Sequence, residues 1–190
     1  MKRLIVYGST NNKTYTPEQL EKCEELGKFL GQKGIEVLTG SCYGYPYYVG
    51  KAVIKHGGHV TGYSPAINIE EHKTLYKFPT DGVSELVFNK VKYPTESESF
   101  LRRQVEQISF SDVAIALGGS WGTFCELILS FFAKHTIILV EEFEGAVKAF
   151  NDVHAFFGSR DVNPQVHHGG KIIRVKTVDE AISEMSKLIT

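Results

Sequence analysis

The sequence predicts an α/β protein whose sheet is mainly parallel and doubly wound. Segments with the pattern of strands alternate with segments with the pattern of helices along the whole chain, which is the order typical of parallel sheets covered by helices. The strand segment 113–117 is a short continuous apolar run, as in strands buried on both faces, and 136–140 is predicted to be another buried strand. Glycine-bearing loops follow several of the strands. Together these observations predict a three-layer, Rossmann-like fold with helices on both faces of the sheet.

Length and composition predict one domain, residues 1–190. The formal net charge is -1, which gives no electrostatic reason to expect nucleic acid or an anionic membrane as a partner. No apolar run approaches the ~20 residues that span a bilayer, and the apolar stretch at 4–7 is too short for a signal peptide. The three cysteines are scattered along the chain, so we expect a reducing, cytoplasmic location.

The first third of the chain alternates strands with two helices. The predicted strands are 3–7, 35–38 and 59–63. The first helix has a full set of start signals, with Thr16 at the N-cap, Pro17 at the first helical position and Gln19 completing a capping box. We expect it to end at one of the glycines that follow. A second helix is predicted at about 47–55.

The rest of the chain continues the alternation after one irregular stretch. Residues 66–84 have weak periodicity and many charges, and we interpret them as a surface excursion. On a helix at 96–110, the apolar spacing predicts that Leu101, Val105 and Ile108 face the core. The remaining predicted strands are 85–91, 113–117, 136–140 and 171–175, and the further helices include 145–156 and 178–189.

The segment at 111–126 organises the candidate site. Four small residues follow its strand, namely Gly118, Gly119, Ser120 and Gly122. They let the backbone turn tightly and approach a ligand. An apolar helix is predicted to begin at Thr123. Because the first amides of a helix lack partners within it and the dipole is positive at that end, this order predicts an anion site. The same spacing, Thr123-x-x-Glu126, is also that of a capping box, in which Glu126 would serve only as a cap.

Three loops are predicted to meet at the carboxyl edge of the sheet, where ligands bind in open parallel sheets. They lie at 8–12, 40–46 and 118–122. The first lacks the GxGxxG spacing of a dinucleotide-binding turn, which disfavours an ordinary NAD or FAD domain. From the second loop, the spacing of Gly44 to Gly50-Lys51 is one residue too long for a P-loop, and Ala52 replaces the Ser or Thr that would hold magnesium. The tyrosines beside it either stack on a base or pack in the core.

These loops, in this order, resemble the Lonely Guy (LOG) family within the wider group of LOG- and Smf-like Rossmann nucleotide-binding proteins. The family motif PGGxGTxxE reads Gly-Gly-Ser-Trp-Gly-Thr-Phe-Cys-Glu at 118–126. The GT pair and the glutamate match, whereas Gly118 replaces the proline and Ser120 replaces a glycine. The form GxWGTxxE is similar to that of a branch of nucleotide-binding relatives. The resemblance covers most of the chain.

The resemblance implies a phosphoribohydrolase that cuts the N-glycosidic bond of a nucleoside 5′-monophosphate, giving free base and ribose 5-phosphate. In the family an arginine within an MHxRK segment works with the motif glutamate. Residues 100–104 read Phe-Leu-Arg-Arg-Gln here, which places the implied catalytic pair at Arg103 and Glu126. The implied phosphate- and nucleotide-binding residues are Gly8, Ser9, Gly40, Ser41, Gly44, Gly118, Gly119, Ser120, Trp121, Gly122 and Thr123. A homodimer is also implied.

Local charge supports the choice of Arg103 over its neighbour. Arg102 has Glu98 and Glu106 at i−4 and i+4, so we expect it to form a salt bridge on the helix surface. Arg103 has only Glu106 at i+3 and is freer to reach a ligand. The alternative for Arg103 is a solvated charge.

The expected partner is a small nucleotide, with no resident cofactor and no metal. No pyridoxal-phosphate signature supports the lysine decarboxylase label that some relatives carry. The pair His167-His168 is typical of a surface loop, and Cys125 has no identifiable base partner that would make it a nucleophile. The alternative to the enzyme is a nucleotide or nucleotide-cofactor carrier or sensor on the same fold, without turnover.

Overall fold

One sheet contains all the strands found in the described part of the chain, and every neighbouring pair in it is parallel. The computed structural model describes residues 3–10, 15–158 and 169–189. Within these ranges the strands are Arg3–Gly8 (β1), Glu36–Thr39 (β2), Val60–Ser64 (β3), Glu85–Phe88 (β4), Val113–Leu117 (β5), Thr136–Val140 (β6) and Ile172–Val175 (β7). Their order across the sheet is β4-β3-β2-β1-β5-β6-β7. The predicted doubly wound parallel sheet is therefore confirmed.

Helices cover both faces of this sheet. They are Pro17–Gln32 (α1), Tyr45–Lys55 (α2), Ile69–Thr74 (α3), Glu96–Ser109 (α4), Trp121–Phe132 (α5), Ala146–Gly158 (α6) and Val178–Ile189 (α7), with a 3-10 turn at Glu141–Phe143. Helices α1, α2 and α7 pack on one face, and α4, α5 and α6 pack on the other. The two resulting cores explain why the central strands are apolar without interruption.

Strand β1 shows how the two cores share one strand. Leu4 and Val6 belong to the core beneath α1, α2 and α7. Ile5 and Tyr7 point the other way, into the core beneath α4, α5 and α6. Successive side chains of a strand point to opposite faces, so a strand covered on both sides has to be apolar at every position. This is the pattern from which the sheet was predicted.

The predicted start of α1 is confirmed in detail. The Gln19 amide donates to Thr16 Oγ1 at 3.2 Å, and the Thr16 amide donates to Gln19 Oε1 at 3.1 Å. Helix α4 begins in the same manner, because the Glu98 amide donates to Thr95 Oγ1 at 3.2 Å and the Thr95 amide donates to Glu98 Oε2 at 3.3 Å. In both helices a threonine and the residue three positions later satisfy amides that would otherwise lack partners.

The predicted core face of α4 is wrong in two of its three residues. Leu101 and Val105 are 48% and 49% exposed, and only Ile108 is buried. The inward face is mostly polar, with Ser99, Arg103, Gln104 and Gln107 buried. Amphipathic spacing assumes that the covered face of a helix meets an apolar core. Here part of that face borders a polar cavity, so the rule predicts the wrong face as buried.

Residues 66–84 form more than a surface excursion. They contain α3, and within it the side chain of His72 is fully buried. Its Nδ1 lies 2.9 Å from Ser64 Oγ and its Nε2 lies 3.1 Å from the Pro79 carbonyl oxygen. These contacts attach the segment to the carboxyl end of β3. The strand that follows ends at Phe88, earlier than predicted.

The site lies where the winding of the chain reverses. From β1 the chain moves outward through β2, β3 and β4, and then crosses to β5 on the other side of β1. Crevices at such switch points are the usual ligand sites of doubly wound sheets. Helix α5 starts at Trp121, two residues before the predicted Thr123. Among the described residues, no helix combines the length and apolarity needed to cross a membrane.

Candidate functional site

A cavity of about 430 Å³ opens at the carboxyl ends of β1 and β2, beside the start of α5. It receives residues from five separate parts of the chain. Its lining consists of Val6, Tyr7, Gly8, Thr10, Gly40, Cys42, Tyr43, Pro46, Phe78, Phe100, Arg103, Gln104, Ser120, Gly122, Thr123 and Glu126. The three loops that were predicted to converge each contribute to it, although Asn11 and Asn12 lie outside the described residues.

The candidate residues divide into two sets. Those that line the cavity are Gly8, Gly40, Arg103, Ser120, Gly122, Thr123 and Glu126. Those outside the lining are Ser9, Ser41, Gly44, Gly118, Gly119 and Trp121. Most members of the second set shape the loops that carry the first, as their contacts show.

Ser41 uses its polar groups away from the cavity. Its hydroxyl donates to the carbonyl oxygen of Tyr63 at 3.1 Å, and its amide donates to Thr39 Oγ1 at 3.3 Å. Its backbone has a φ of 49°, in the left-handed region. Ser41 therefore holds the turn after β2 against β3.

Gly44 and Ser9 fasten two of the loops to each other. Gly44 has a φ of 128°, and a side chain there would collide with the backbone of Ser9. The Ser9 carbonyl oxygen accepts from the Tyr45 amide at 3.1 Å and from the Tyr15 hydroxyl at 2.9 Å. This close approach of backbones requires glycine.

The turn between β5 and α5 depends on two glycines with positive φ. Gly118 has a φ of 68° and Gly119 a φ of 100°. A side chain at Gly119 would overlap that of Thr123, and one at Gly118 would meet the carbonyl group of Phe143. Trp121 follows this turn with 85% of its surface exposed. The turn brings Ser120 and Gly122 to the cavity.

The first turn of α5 is not closed by a side chain. Ser120 is the N-cap, and its side chain makes no capping hydrogen bond. Thr123 is already the third helical residue, and its hydroxyl donates to the Gly8 carbonyl oxygen at 3.2 Å. The capping-box interpretation of Thr123 and Glu126 is therefore wrong. The helix start presents amides and the positive end of its dipole to the cavity.

Arg103 and Glu126 meet inside the cavity. Arg103 Nη2 lies 3.3 Å from Glu126 Oε1, and Arg103 Nη1 donates to the Gly40 carbonyl oxygen at 2.7 Å. The two residues are 5% and 8% exposed, so the solvated-charge alternative for Arg103 is wrong. A side chain at Gly40 would lie about 2.6 Å from the guanidinium, so glycine there leaves room for the arginine.

The carboxyl group of Glu126 has a strongly perturbed acidity. Burial raises its pKa from 4.5 to about 7, while the Arg103 guanidinium and a hydrogen bond with Gln104 act in the opposite direction. Burial disfavours the charged form because the low-dielectric interior solvates it poorly. Near neutral pH this carboxyl can therefore both hold and release a proton, as acid–base groups in active sites do.

The neighbouring Arg102 has a different environment from the one predicted. Its guanidinium lies over the ring of Tyr93, 5.7 Å from the centroid. This contact is on the outer side of α4, whereas Arg103 points inward. The choice between the two arginines agrees with the sequence argument, although the partner of Arg102 is an aromatic ring.

Several cavity residues were not identified as candidates from the sequence. Tyr7 is 2% exposed, and its hydroxyl lies 2.9 Å from Ser130 Oγ. Its place at the end of the central strand could have identified it as a cavity residue, since that strand flanks the switch point. Phe78 comes from the segment interpreted as a surface excursion, and nothing in its local sequence marks it.

The tyrosines after β2 have different surroundings, and only the packing role that was considered for them is seen directly, at Tyr45. Tyr45 is buried and packs against Phe143, with ring centroids 4.9 Å apart. Tyr43 lines the main cavity and also a neighbouring groove of about 390 Å³. The groove is further lined by Leu20, Glu24, Tyr47, Tyr48 and Lys51.

Across residues 3–10, 15–158 and 169–189, no three His, Cys, Asp or Glu side chains are grouped as metal ligands. The pair His167-His168 lies outside the described residues. Burial raises the pKa of Cys125, which favours the unreactive thiol form.

A family model described as "LDcluster4: SLOG cluster4 family" matches residues 2–182. No curated protein gives a significant match. The chain is similar in structure to TM1055, a structural genomics target, with 24% identity and a TM-score of 0.77 over 98% of this chain and 99% of the other.

Two further proteins of similar structure are named for the molybdenum cofactor. The molybdenum cofactor binding protein of the phototrophic bacterium Rippkaea orientalis is 20% identical, with a TM-score of 0.72 over 100% of this chain and 98% of the other. The molybdenum cofactor carrier protein of Chlamydomonas reinhardtii is 21% identical, with a TM-score of 0.65 over 99% and 98%. At these identities the likeness shows a shared fold.

Proposed function

The chain belongs to the SLOG cluster4 family, within the LOG-like Rossmann-type group indicated by its motif, and we propose that it hydrolyses a nucleoside 5′-monophosphate. The products would be free base and ribose 5-phosphate. The observation that carries this proposal is a buried arginine–glutamate pair in the same cavity as an uncapped helix N-terminus. An anion and a reacting bond can then be held side by side.

The phosphate is assigned to the first turn of α5. Ser120 and Gly122 line the cavity there, and the side chain of the N-cap residue Ser120 makes no capping hydrogen bond. Main-chain amides at such a position bind phosphate well, because they lack other partners and the dipole favours negative charge. The Thr123 hydroxyl already donates to Gly8, so the main chain, rather than that hydroxyl, is the donor in this proposal.

Glu126 is assigned to the sugar. It lies four residues beyond Gly122, about 6 Å along the helix axis. As the C1′–N bond breaks, its electron pair leaves with the base and positive charge develops on the ribose ring, as in other glycoside hydrolyses. An ionised Glu126 stabilises that charge and accepts a proton from the attacking water. The departing base takes a proton from solvent.

Arg103 is a positioning residue in this scheme. Its guanidinium contacts both Glu126 and the Gly40 carbonyl oxygen, so the carboxylate is fixed relative to the loop after β2. Its charge lowers the pKa of Glu126 from the value that burial alone would impose. A reactive fraction of carboxylate is therefore present at neutral pH.

A second candidate function is a carrier or sensor that binds a nucleotide or a nucleotide-derived cofactor without turnover. Two proteins that share the fold are named as molybdenum cofactor binding or carrier proteins. In addition, Phe100, Leu101 and Gln104 replace the methionine, histidine and lysine that surround the arginine in the LOG pattern. The same cavity would serve either function.

The homodimer remains part of the proposal. Its support is a set of exposed apolar side chains on α4 and α5, the helices that carry Arg103 and Glu126. Leu101 and Val105 are about half exposed, Trp121 is 85% exposed and Phe132 is 65% exposed. Exposed apolar side chains in such number are typical of interaction surfaces. Light scattering would give the mass in solution, and a monomer would contradict the dimer.

The test is base release from a panel of nucleoside 5′-monophosphates, followed by chromatography. We expect Glu126→Gln to abolish release while still showing thermal stabilisation by the nucleotide. Glu98→Gln is the matched control, because Glu98 is an exposed glutamate on α4 whose capping contact a glutamine can keep. Equal release by wild type and Glu126→Gln would contradict the enzyme, and stabilisation without any release would favour the carrier.

A further inference from the structure

Two phenylalanines from separate parts of the chain form one side of the cavity. Phe78 comes from the segment after α3, and Phe100 comes from the first half of α4. Their ring centroids are 6.3 Å apart, with an angle of 68° between the rings. We call this pair the aromatic wall. The proposed phosphate and carboxylate positions do not involve it.

The aromatic wall has a defined place relative to the other cavity groups. The Arg103 guanidinium lies 5.3 Å from the centroid of the Phe100 ring. The same guanidinium reaches Glu126 at 3.3 Å, and Glu126 lies about one helical turn beyond Gly122. The cavity therefore presents an anion-binding end, then a carboxylate, then an aromatic surface. A 5′-nucleotide presents phosphate, ribose and base in the same order.

The wall is held in position by its neighbours. The Phe78 ring packs against His72 at 5.7 Å and against Tyr76 at 5.6 Å, and Tyr76 also contacts Phe100 at 5.7 Å. His72 in turn is held through both of its ring nitrogens by Ser64 and Pro79. A surface fixed before the ligand arrives binds with a smaller loss of conformational entropy.

We propose that the aromatic wall stacks on the base of the nucleotide and so selects ligands that carry a planar ring; this rests on the function proposed above. Stacking on an aromatic face is available to every base, because each has a π-surface. The wall therefore distinguishes nucleotides from sugar phosphates and tolerates purines and pyrimidines alike. The segment at 66–84 then has a function, since it brings Phe78 to the cavity.

The tyrosine groove is the competing place for the base. Tyr43 joins it to the main cavity, and Tyr47 lines it at a ring distance of 5.5 Å from Tyr43. The Tyr47 hydroxyl, however, contacts Asp81 at 3.0 Å in an exposed cluster that includes the Lys51–Asp81 ion pair. The groove also lacks the link to Glu126 that Arg103 gives to the aromatic wall.

The experiment compares a ligand that lacks a base with ligands that carry one. Calorimetric titration would use Glu126→Gln protein, to prevent turnover, with ribose 5-phosphate and with the four common nucleoside 5′-monophosphates. We expect all four nucleotides to bind more tightly than ribose 5-phosphate. Adding Phe78→Ala should weaken the nucleotides by about tenfold and leave ribose 5-phosphate unchanged. Phe100→Leu is a second and milder variant. It should also weaken only the nucleotides, but by a smaller factor.

Two further variants make the outcome decisive. Phe110→Ala is the matched control, because Phe110 is about half exposed at the other end of α4 and lies outside the cavity lining. If Tyr47→Ala, rather than Phe78→Ala, removes the advantage of the nucleotides, the base lies in the tyrosine groove and the inference is wrong. An equal loss for both kinds of ligand would also overturn it.

The result separates this inference from the function on which it rests. If ribose 5-phosphate binds and the nucleotides bind no better, the aromatic wall has no role in recognition, while the phosphate site stands. If neither kind of ligand binds the Glu126→Gln protein, the proposed phosphate site is wrong and this inference falls with it.

Discussion

Helices α4 and α5 share the sequence pattern Thr-x-x-Glu near their starts, and the two patterns do opposite things. In α4, Thr95 and Glu98 exchange hydrogen bonds with each other's amides and close the helix end. In α5, Thr123 turns to the Gly8 carbonyl oxygen and Glu126 turns to Arg103. A local pattern that closes one helix thus leaves the other open to a ligand.

The difference comes from what surrounds each helix start. Thr95 and Glu98 are exposed, so their side chains find the nearest amides. Thr123 and Glu126 are buried and face β1 and α4, which supply a carbonyl oxygen and a guanidinium. Buried polar groups take the partners that the fold offers. The absence of a side-chain cap therefore indicates an open helix start, just as a cap indicates a closed one.

The largest expected effect comes from closing α5 artificially. Ser120→Asp places a carboxylate at the N-cap, where it can accept from the first amides and occupy the position proposed for phosphate. We expect the affinity for ribose 5-phosphate to fall by about a hundredfold or more, because juxtaposed like charges cost several kcal/mol. Calorimetric titration measures this.

The matched control is Thr95→Asp, which adds the same charge at the N-cap of α4, outside the cavity lining. It should bind ribose 5-phosphate as the wild type does. Equal affinities in all three proteins would mean that the start of α5 is not an anion site.

A second expected effect concerns pH and the two glutamates. Glu126 has a folded pKa of about 7 against an ordinary value of 4.5. Between these values the folded chain keeps a proton that the unfolded chain has released, so the free energy of unfolding falls as pH rises. The slope from this group is at most about 1.4 kcal/mol per pH unit. Glu126→Gln removes it.

Chemical denaturation of wild type and Glu126→Gln from about pH 5 to about pH 8 measures this linkage. We expect the free energy of unfolding of Glu126→Gln to increase relative to that of the wild type as pH rises. Glu98→Gln, at an exposed position, serves as the control for the replacement of a glutamate by glutamine. Parallel curves for wild type and Glu126→Gln would show that the carboxyl is ordinary.

The smallest expected effect tests a closed helix end. Thr16→Ala removes the capping oxygen of α1 and should lower the free energy of unfolding by about 1 kcal/mol. Nucleotide affinity should not change, because Thr16 lies outside the cavity lining. Thr16→Ser keeps the capping oxygen and should retain wild-type stability. A change in affinity for Thr16→Ala would contradict the division into closed and open helix starts.

Much of the fold could be predicted because its signals are local. The apolar run at 113–117 became β5 without a change in its bounds, and the cap at Thr16 formed as expected. The face of α4 could not be predicted, since Leu101 and Val105 follow the amphipathic rule but lie outside. That rule assumes an apolar neighbour, and the neighbour of α4 includes a cavity.

The candidate site was predicted unevenly for the same reason. Arg103 and Glu126 were chosen from a motif and from nearby charges, and the fold places them 3.3 Å apart. Ser41 has a suitable hydroxyl in a suitable loop, yet that hydroxyl is used by the Tyr63 carbonyl group. Phe78 carries no sequence signal at all, because its position depends on contacts between residues far apart in the chain.

The sequence by itself determined the strands, the caps of the exposed helices and the glycines on which the turns depend, because each follows from the properties of neighbouring residues. The tertiary structure alone decided which hydrogen-bonding groups remain free at the cavity. A donor or a carboxylate is free only if the packed chain gives it no other partner. Helix α5 received no cap from its own sequence neighbours, and so its first amides face the cavity beside Glu126.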